Sequence, residues 1–313
     1  MRKLILGTRG SALALWQARH VAALIREHHP DVEVVERIIK TEGDIQQSEP
    51  LGRSDVGVFV RRIEQAMLAG EIDLAVHSLK DLPTSQPDGL VIASVPARHD
   101  PRDVLLSTAG HTFEELPAGT VIGTGSFRRR TMLLHARPEL KTAPVRGNVD
   151  TRIRKLADGE YGAIVLALAG LERLGLDRMP YRPIEVEVLL PAVGQGALGL
   201  ETRADDTAAR ELIAELDHVA THQAVIAERA FLHELGGGCL APATGFGVVG
   251  DGQVVLRAAV GDSDGVELIR DEETGPVEGA ARIGIRLAKR MKDAGATRLL
   301  QKSRDEAERP GPS

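Results

Sequence analysis

Short apolar runs alternate with stretches of helical periodicity along the first two thirds of the chain. A run of four or five apolar residues closed by a glycine or a polar residue predicts a buried strand, and apolar residues spaced three or four apart predict an amphipathic helix. This alternation is typical of parallel or mixed sheets covered by helices. Strands are predicted at 3–7, 32–39, 73–77, 90–95, 120–125, up to 144–146, 163–167 and 196–201, and helices at 11–27, 59–69, 128–136, 151–157 and 206–235.

The pattern changes over the last part of the chain. Residues 254–261 and 266–271 alternate as antiparallel strands do, and 277–294 has the spacing of an amphipathic helix. From Ser303 the chain is polar and contains prolines, which predicts a disordered tail. Together with turn-rich breaks at 96–102 and 180–191, the pattern predicts two α/β segments followed by a small α+β domain.

Composition narrows the class of protein. With one Trp, two Tyr and five Phe, the core must be aliphatic, as in sheets flanked by helices. A net charge of -6 does not indicate a nucleic-acid binder. A single cysteine cannot form an intrachain disulfide, which fits a reducing compartment. The first apolar run is too short for a signal peptide, and no run is long enough to span a membrane, so we expect a cytoplasmic protein with no membrane partner.

Residues 120–155 depart from the acidic balance, with nine Lys or Arg against two Asp or Glu. Several of the arginines follow glycine-rich ends of predicted strands, where α/β proteins bind ligands and helix N-termini attract anions. Guanidinium groups there would bind carboxylate or phosphate. A solvated basic face is the alternative interpretation, and the pattern alone leaves both open.

Two further segments could carry chemistry. An apolar strand runs directly into Ser78, Lys80 and Asp81, where an aspartate could stabilise a cation or move a proton. The segment by itself favours the alternative interpretation, a helix cap followed by a turn at Pro83. Three glycines precede Cys239, which is either a buried apolar residue or a point of covalent attachment. His218 and His222 lack a third ligand, so no metal is expected, and no phosphate loop or dinucleotide fingerprint is present.

Eight segments in order along the chain resemble one family, hydroxymethylbilane synthase, also called porphobilinogen deaminase. They begin with Thr8-Arg-Gly-Ser11 and the following Leu13-Ala-Leu-Trp-Gln17. The others are Ala75-Val-His-Ser-Leu-Lys-Asp-Leu-Pro83, Asp100-Pro-Arg-Asp103, Gly123-Thr-Gly-Ser-Phe-Arg-Arg129, Arg146-Gly-Asn-Val-Asp-Thr-Arg152, Ala169-Gly-Leu-Glu-Arg-Leu-Gly175, Leu190-Pro-Ala-Val-Gly-Gln-Gly196, and Glu228-Arg-Ala230 with Gly237-Gly-Cys239.

The resemblance implies an enzyme that joins four porphobilinogen molecules head to tail into linear hydroxymethylbilane, with loss of four ammonia. It also implies a dipyrromethane cofactor on a cysteine thioether, which here must be Cys239. The fold implied has two lobes like those of periplasmic binding proteins. We therefore expect lobe 1 at 1–97 and 196–215, lobe 2 at 98–195, an α+β domain at 216–302 and a tail at 303–313, in a monomer.

The resemblance also implies roles for individual residues. Asp81 would be the catalytic carboxylate. The remaining residues fall into a cofactor-binding set and a substrate-binding set. The cofactor set is Cys239, Ser78, Lys80, Thr124, Ser126, Arg128, Arg129, Arg146 and Arg152, and the substrate set is Arg9, Ser11, Gln17, Arg173 and Gln195.

One departure from the family pattern concerns the loop before Phe59. The family has Gly-Gly-Lys-Gly-Leu-Phe there, whereas this chain has Ser54-Asp-Val-Gly-Val-Phe59, with Val56 near the lysine position and Arg53 as a possible replacement for its charge. A relative with impaired activity is therefore one alternative. A non-catalytic two-lobed cytoplasmic protein that binds a polycarboxylate or phosphate is another. Ammonia release from porphobilinogen distinguishes the synthase from such a binding protein, whereas an impaired relative would carry cofactor but form little product.

Overall fold

The computed structural model describes residues 2–39, 55–176, 180–237 and 241–308. Contacts divide the chain into two compact units, Met1–His99 with Ala197–His222, and Asp100–Gly196 with Gln223–Ser313. Arg53, Ser54 and Cys239 lie outside the described residues. The rest of the predicted loop before Phe59 is a correction, because a helix already begins at Asp55 and continues to Leu68. The strands are β1 (Arg2–Thr8), β2 (Val32–Ile38), β3 (Leu74–Ser78), β4 (Leu90–Ser94), β5 (Asp103–Ser107), β6 (Val121–Gly123), β7 (Lys141–Ala143), β8 (Ala163–Ala167), β9 (Tyr181–Pro183), β10 (Leu198–Arg203), β11 (Ala243–Gly250), β12 (Gln253–Gly261) and β13 (Leu268–Pro276).

Helices cover these strands in each unit. They are α1 (Ala12–His28), α2 (Asp55–Leu68), α3 (Phe127–Ala136), α4 (Val149–Ala157), α5 (Leu168–Arg173), α6 (Thr207–Ala214), α7 (Val219–Leu235), α8 (Ala280–Asp293) and α9 (Ala296–Glu308).

The first unit contains a mixed sheet in the order β2-β1-β3-β10-β4. Strand β1 runs parallel to both β2 and β3, whereas β10 is antiparallel to β3 and β4. Because the middle strands are covered on both faces, their central residues are mostly apolar, and Leu6, Leu74 and Leu200 are fully buried. Helices α1 and α6 pack on one face of the sheet through residues that include Ile25 and Ile213.

The second unit contains a sheet of the same design, in the order β7-β6-β8-β5-β9. Strand β6 is parallel to β7 and β8, and the antiparallel strand β5 lies between β8 and β9. In each sheet the inserted antiparallel strand comes from outside the local run of parallel strands. Within each sheet, the carboxyl ends of the parallel strands therefore lie at the same edge of that sheet.

The second unit also contains a three-stranded antiparallel sheet, β11-β12-β13. Helices α7, α8 and α9 bury their apolar faces in one core with this sheet, with Phe231, Leu287 and Leu299 at 0% exposure. Helices α7 and α8 approach closely at Gly284, where an added Cβ would lie 2.2 Å from the backbone oxygen of Ala227. Glycine at this position therefore sets the distance between the two helices.

The predicted fold class is confirmed: two mixed-sheet α/β lobes and a small α+β part. The predicted single helical stretch 206–235 is wrong, because the chain breaks into α6 and α7. A disordered tail from Ser303 is also wrong as far as Glu308. Helix α9 continues to Glu308, and the burial of Leu299 and Leu300 anchors its first turns. The predicted domain boundaries remain a prediction.

Sequence analysis missed β5, β9 and β11. The sequence pattern does not predict strand β11 because the strand contains several glycines, which have low strand propensity. A Cβ at Gly245 would lie 3.0 Å from the Phe231 ring, and one at Gly247 would lie 3.0 Å from the backbone oxygen of Ala224. The glycines thus let α7 lie close against this strand.

Gly284→Ala and Gly170→Ala form a matched pair that tests this packing. Both glycines are helical, but a Cβ at Gly170 meets nothing within 4 Å. We expect Gly284→Ala to lower the free energy of unfolding by about 1–3 kcal/mol through overpacking. We expect Gly170→Ala to raise it by up to about 1 kcal/mol, as alanine normally does in a helix. Urea unfolding measures both, and equal effects of the two substitutions would contradict the close approach of α7 and α8.

Candidate functional site

The first sheet gathers predicted site residues along one edge. Arg9 follows β1, and Ser11 caps α1 by accepting a hydrogen bond from the Ala14 N–H at 3.3 Å. Lys80 and Asp81 follow β3 in a 3₁₀ turn. Because β1 and β3 are parallel neighbours, these residues share the carboxyl edge of the sheet, where α/β proteins bind ligands.

Two residues predicted for different roles contact each other here. The side-chain amide of Gln17 donates a hydrogen bond to Ser78 Oγ at 2.6 Å. Gln17 is only 2% exposed, whereas Ser78 is half-buried. The structure thus has Gln17 orienting the Ser78 hydroxyl, and its predicted contact with substrate remains a prediction.

Asp81 is held by the backbone around it. Leu79 and Leu82, on either side of the turn, are buried at 1% and 3% exposure and fix it to the core. The Asp81 side chain is exposed and makes no hydrogen bond or ion pair with any other residue that the structure describes. Its carboxylate is therefore available to a ligand.

A buried contact that sequence analysis missed lies beside Ser78. His77 Nε2 is 3.1 Å from Glu201 Oε2, which joins β3 to the inserted strand β10. Glu64 of α2 is nearby, and burial, then the charge of Glu201, raise the pKa of Glu64. These groups hold the strand that carries Ser78 in place.

The second sheet has an equivalent edge. Thr124 and Ser126 follow β6, and Arg146 follows β7, its parallel neighbour. Ser126 caps α3 through the Arg129 N–H, and Asn148 caps α4 through the Thr151 N–H at 2.9 Å. The sheet edge therefore carries two capped helix N-termini, whose positive ends favour anions.

Asp103, at the start of β5, holds the two arginines at the beginning of α3. Arg128 reaches Asp103 Oδ2 at 2.8 Å, and Arg129 reaches Oδ1 at 2.7 Å. All three side chains are buried, and Asp103 has 0% exposure. Burial alone would raise the pKa of Asp103. The charges of Arg128 and Arg129 and the hydrogen bonds from Arg129 and Gln195 outweigh it, and its pKa falls from 3.8 to about 2.

Arg152 differs from this pair because no counterion for it lies among the described residues. Its Nε donates to the Gly147 carbonyl at 2.8 Å, and no carboxylate of the described residues forms an ion pair with it. Burial, then the positive charge of Arg129, lower the pKa of Arg152. Arg146 lies exposed on the preceding loop, also without an ion pair to a described residue. The second unit thus presents positive charge that an added carboxylate would neutralise.

Arg173 and Gln195 are both buried, at 6% and 1% exposure. Burial lowers the pKa of Arg173 to about 10, and its guanidinium donates to the Gly196 carbonyl at 2.8 Å. Gln195 Nε2 donates to Asp103 Oδ1 at 3.0 Å and to the Pro101 carbonyl at 2.7 Å. In the structure Gln195 supports Asp103, and the predicted contacts of both residues with substrate remain predictions.

The residues present fit a ligand that carries several carboxylates. Dipyrromethane bears acid side chains on two pyrrole rings. Arg146 and Arg152 form no ion pair with a described residue, and the first turn of α3 contains no acidic residue. Cys239 lies outside the described residues, in the connection between α7 and β11.

Sequence analysis missed Asp103 as a site residue because it stands just after a turn-rich break and looks like a surface aspartate. The signal that could have found it is the pair Arg128-Arg129. Two adjacent arginines at the start of a helix that packs on a sheet need a buried acid.

The histidines at 218 and 222 are engaged locally. His218 Nδ1 lies 2.8 Å from Thr221 Oγ1, and His222 Nδ1 lies 2.8 Å from Asp217 Oδ1. Among residues whose positions are described, no group of three His, Cys, Asp or Glu could hold a metal ion. No helix in the described part of the chain is both long and apolar enough to cross a bilayer.

The two sheets and their polar edges define an α/β protein with anion-binding groups. Comparison with known proteins makes the class more specific. The family model for the porphobilinogen deaminase dipyromethane cofactor-binding domain matches residues 4–211, and that for the porphobilinogen deaminase C-terminal domain matches 222–293. A porphobilinogen deaminase of Desulforudis audaxviator (strain MP104C) is 49% identical over 304 residues, covering 97% of this chain and 98% of the relative.

A second relative and a solved structure complete the comparison. The porphobilinogen deaminase of Syntrophus aciditrophicus (strain SB) is 46% identical, covering 96% of this chain and 98% of the relative. Among solved structures, the probable amino-acid ABC transporter extracellular-binding protein ytmK of Bacillus subtilis is 8% identical, with a TM-score of 0.43, covering 69% of this chain and 90% of that one.

The chain belongs to the porphobilinogen deaminase family. Its activity is that of a transferase in tetrapyrrole biosynthesis, and it contains a dipyrromethane cofactor-binding domain. The predicted function, enzyme class and cofactor are therefore confirmed, and the family implies porphobilinogen as the substrate.

Asp103→Asn tests the buried arginine pair. The substitution leaves two buried guanidiniums without a negative charge, and we expect it to lower the free energy of unfolding by about 3–5 kcal/mol at neutral pH. Because the pKa of Asp103 is lower in the folded protein, its contribution is complete above pH 3.8 and is lost as the pH falls towards about 2. The difference between wild type and variant should therefore shrink over that range in urea unfolding.

The control is Asp158→Asn, which changes an exposed carboxylate of the same unit. It should alter the free energy of unfolding by no more than about 0.5 kcal/mol. A difference between wild type and Asp103→Asn that did not vary from pH 6 to pH 2.5 would contradict the ion-pair account of Asp103.

Proposed function

We propose that Asp81 is the catalytic carboxylate of the deaminase reaction. The observation that carries this proposal is an exposed carboxylate that makes no hydrogen bond or ion pair with a described residue. It lies on a turn at the carboxyl edge of the first sheet, next to the buried Leu82. Loss of ammonia from the aminomethyl group of porphobilinogen leaves positive charge that spreads to the pyrrole nitrogen. A carboxylate that accepts a hydrogen bond from the pyrrole N–H stabilises this charge and can take up the proton released when the new carbon–carbon bond forms.

Ser78, Lys80 and Arg9 lie along the same edge of the first sheet as Asp81, so they can bind the acetate and propionate groups of porphobilinogen. Ser78 is oriented by Gln17 for this purpose. We assign Ser11 to the same edge as a helix cap that also exposes its hydroxyl.

In the second unit, we assign carboxylate binding to Arg146, Arg152, Thr124 and Ser126. The support is the charge of Arg152, which forms no ion pair with a described residue, and the two helix N-termini at the same sheet edge. Arg128 and Arg129 bind Asp103, so their proposed part in holding the cofactor includes aligning the start of α3. Dipyrromethane, when bound, supplies the pyrrole end to which the first substrate is joined, and we propose Cys239 as its attachment residue.

We also propose that the protein is cytoplasmic and monomeric. A cytoplasmic location is supported by the single cysteine, and a monomer by the presence of both candidate site edges in one chain.

Asp81→Asn keeps the shape of the side chain and removes its charge. We expect kcat to fall by roughly 10²–10³-fold, as when an electrostatic stabiliser is lost, with unchanged thermal unfolding because the side chain is exposed. Ammonia release from porphobilinogen measures kcat. Asp88→Asn is the control, since Asp88 is an exposed carboxylate in the loop that follows, and it should behave as wild type. Near-normal turnover of Asp81→Asn would rule out the role given to Asp81.

Arg152→Leu should separate activity from stability. Loss of a carboxylate contact should lower kcat/KM for porphobilinogen by a factor that corresponds to about 1–3 kcal/mol. Burial and the charge of Arg129 both disfavour the Arg152 cation, so the same substitution should maintain or raise the free energy of unfolding in a Cys239→Ser background that cannot hold cofactor. Arg154→Leu, on the exposed side of α4, is the matched control for activity. A destabilised protein with normal kcat/KM would mean that Arg152 is structural.

A further inference from the structure

Hydrogen bonds from helix α7 and strand β11 hold one side of the turn Pro191–Gly196 in the second unit. Glu228 of α7 accepts hydrogen bonds from the Gly194 N–H at 2.7 Å and from the Gly247 N–H of β11 at 2.9 Å. Thr244 of β11 donates its hydroxyl hydrogen bond to the Pro191 carbonyl. Glu228 and Thr244 have 0% exposure, so water does not compete for these contacts.

On its other side the same turn presents Gln195 to Asp103. The turn is tight, with the Gln195 N–H bonded to the Ala192 carbonyl at 2.8 Å. Gly194 has a φ of +70°, a conformation that favours glycine. The orientation of Gln195 therefore depends on where Gly194 is held, and Gln195 in turn donates to the carboxylate that fixes Arg128 and Arg129.

The elements that hold the turn are the two that flank the cysteine. Helix α7, which contains Glu228, ends at Leu235, and β11, whose Gly247 N–H donates to Glu228, begins at Ala243. One buried carboxylate thus joins α7 and β11 to the turn that supports the arginine pair.

We propose that Glu228 is a positioning residue that fixes the turn Pro191–Gly196 relative to α7 and β11, and through Gln195 fixes the cluster of Asp103, Arg128 and Arg129. The proposal rests on the proposed function, because it gives the cluster and Cys239 their ligand. Glu228 acts through the turn and need not touch the ligand.

A double-mutant cycle of Glu228→Gln and Gln195→Met tests this link. In Glu228→Gln the amide NH₂ faces one of the two backbone N–H groups and cannot accept its hydrogen bond. Gln195→Met removes the hydrogen bond to Asp103 and keeps a side chain of similar length. The quantities measured are KM for porphobilinogen and the fraction of protein that carries cofactor, read from the intact mass. A purely structural role would reduce the amount of folded enzyme and would not move KM.

If the turn transmits the position of Glu228, the KM effect of the double variant should differ from the product of the single effects by more than about threefold. Agreement with that product to within about twofold would overturn the proposal. If Glu228→Gln does not fold, Glu228→Asp replaces it, since its shorter side chain cannot reach both N–H groups at once.

Asp262→Asn is the matched control in the same cycle. Asp262 is also 0% exposed and accepts backbone N–H groups, from Val266 at 2.9 Å and Glu267 at 3.3 Å, but it does not contact the turn. Its carbonyl accepts a hydrogen bond from Thr131 of α3, so the variant reports a disturbance near α3 by another route. Its effects should multiply simply with those of Gln195→Met.

Amide hydrogen exchange gives a readout independent of activity. Glu228→Gln should speed exchange at Gly194 and Gly247 and also in the segments around Asp103 and Arg129, whereas faster exchange at the two glycines alone would contradict the proposed transmission. Inactive wild-type protein would instead refute the proposed function, so the two failures are distinguishable.

Discussion

A buried carboxylate shared by two guanidinium groups is the constraint on which the second unit depends. Asp103 could not remain ionised at 0% exposure without Arg128 and Arg129, and neither arginine could be buried without it. Gln195 donates a further hydrogen bond to the Asp103 carboxylate and so joins the turn before β10 to the same cluster. Asp103 already neutralises part of the charge of Arg128 and Arg129. At the same sheet edge, Arg152 and Arg146 form no ion pair with a described residue, so their positive charge is available to a ligand.

Sheet topology explains why the functional groups gather where they do. In both sheets an antiparallel strand is inserted among parallel ones, and the loops after the parallel strands are left to carry the polar residues. Asp81 follows β3 in one sheet, and Arg146 follows β7 in the other. The strands supply rigidity, and the short turns after them supply side chains that need not pack.

The apolar patterns were sufficient to predict most of the strands and helices, because buried parallel strands and amphipathic helices leave a strong periodic signal. They failed where packing overrides propensity. Strand β11 is glycine-rich because α7 lies against it. Strand β9 is a short edge strand that ends in proline, so its sequence does not indicate a strand. Helix α9 looks like a tail because only a few apolar residues anchor it.

The site was predictable only in part. The charge anomaly at 120–155 indicated an anion site, but the choice of Asp81 and of individual arginines came from family resemblance. Periodicity could not show that Gln17 orients Ser78, or that Gln195 supports Asp103, because both contacts join residues at least 61 positions apart. Such contacts are set by topology, not by local pattern.

The claim at the centre of this account is that the chain carries its carboxylate-rich cofactor covalently on Cys239. The intact mass of the denatured protein, measured beside Cys239→Ser and again after incubation with porphobilinogen, tests it most directly. We expect an excess equal to two linked pyrrole units on the wild type and none on the variant. A wild-type mass equal to that of the bare polypeptide, unchanged by porphobilinogen, would contradict the account.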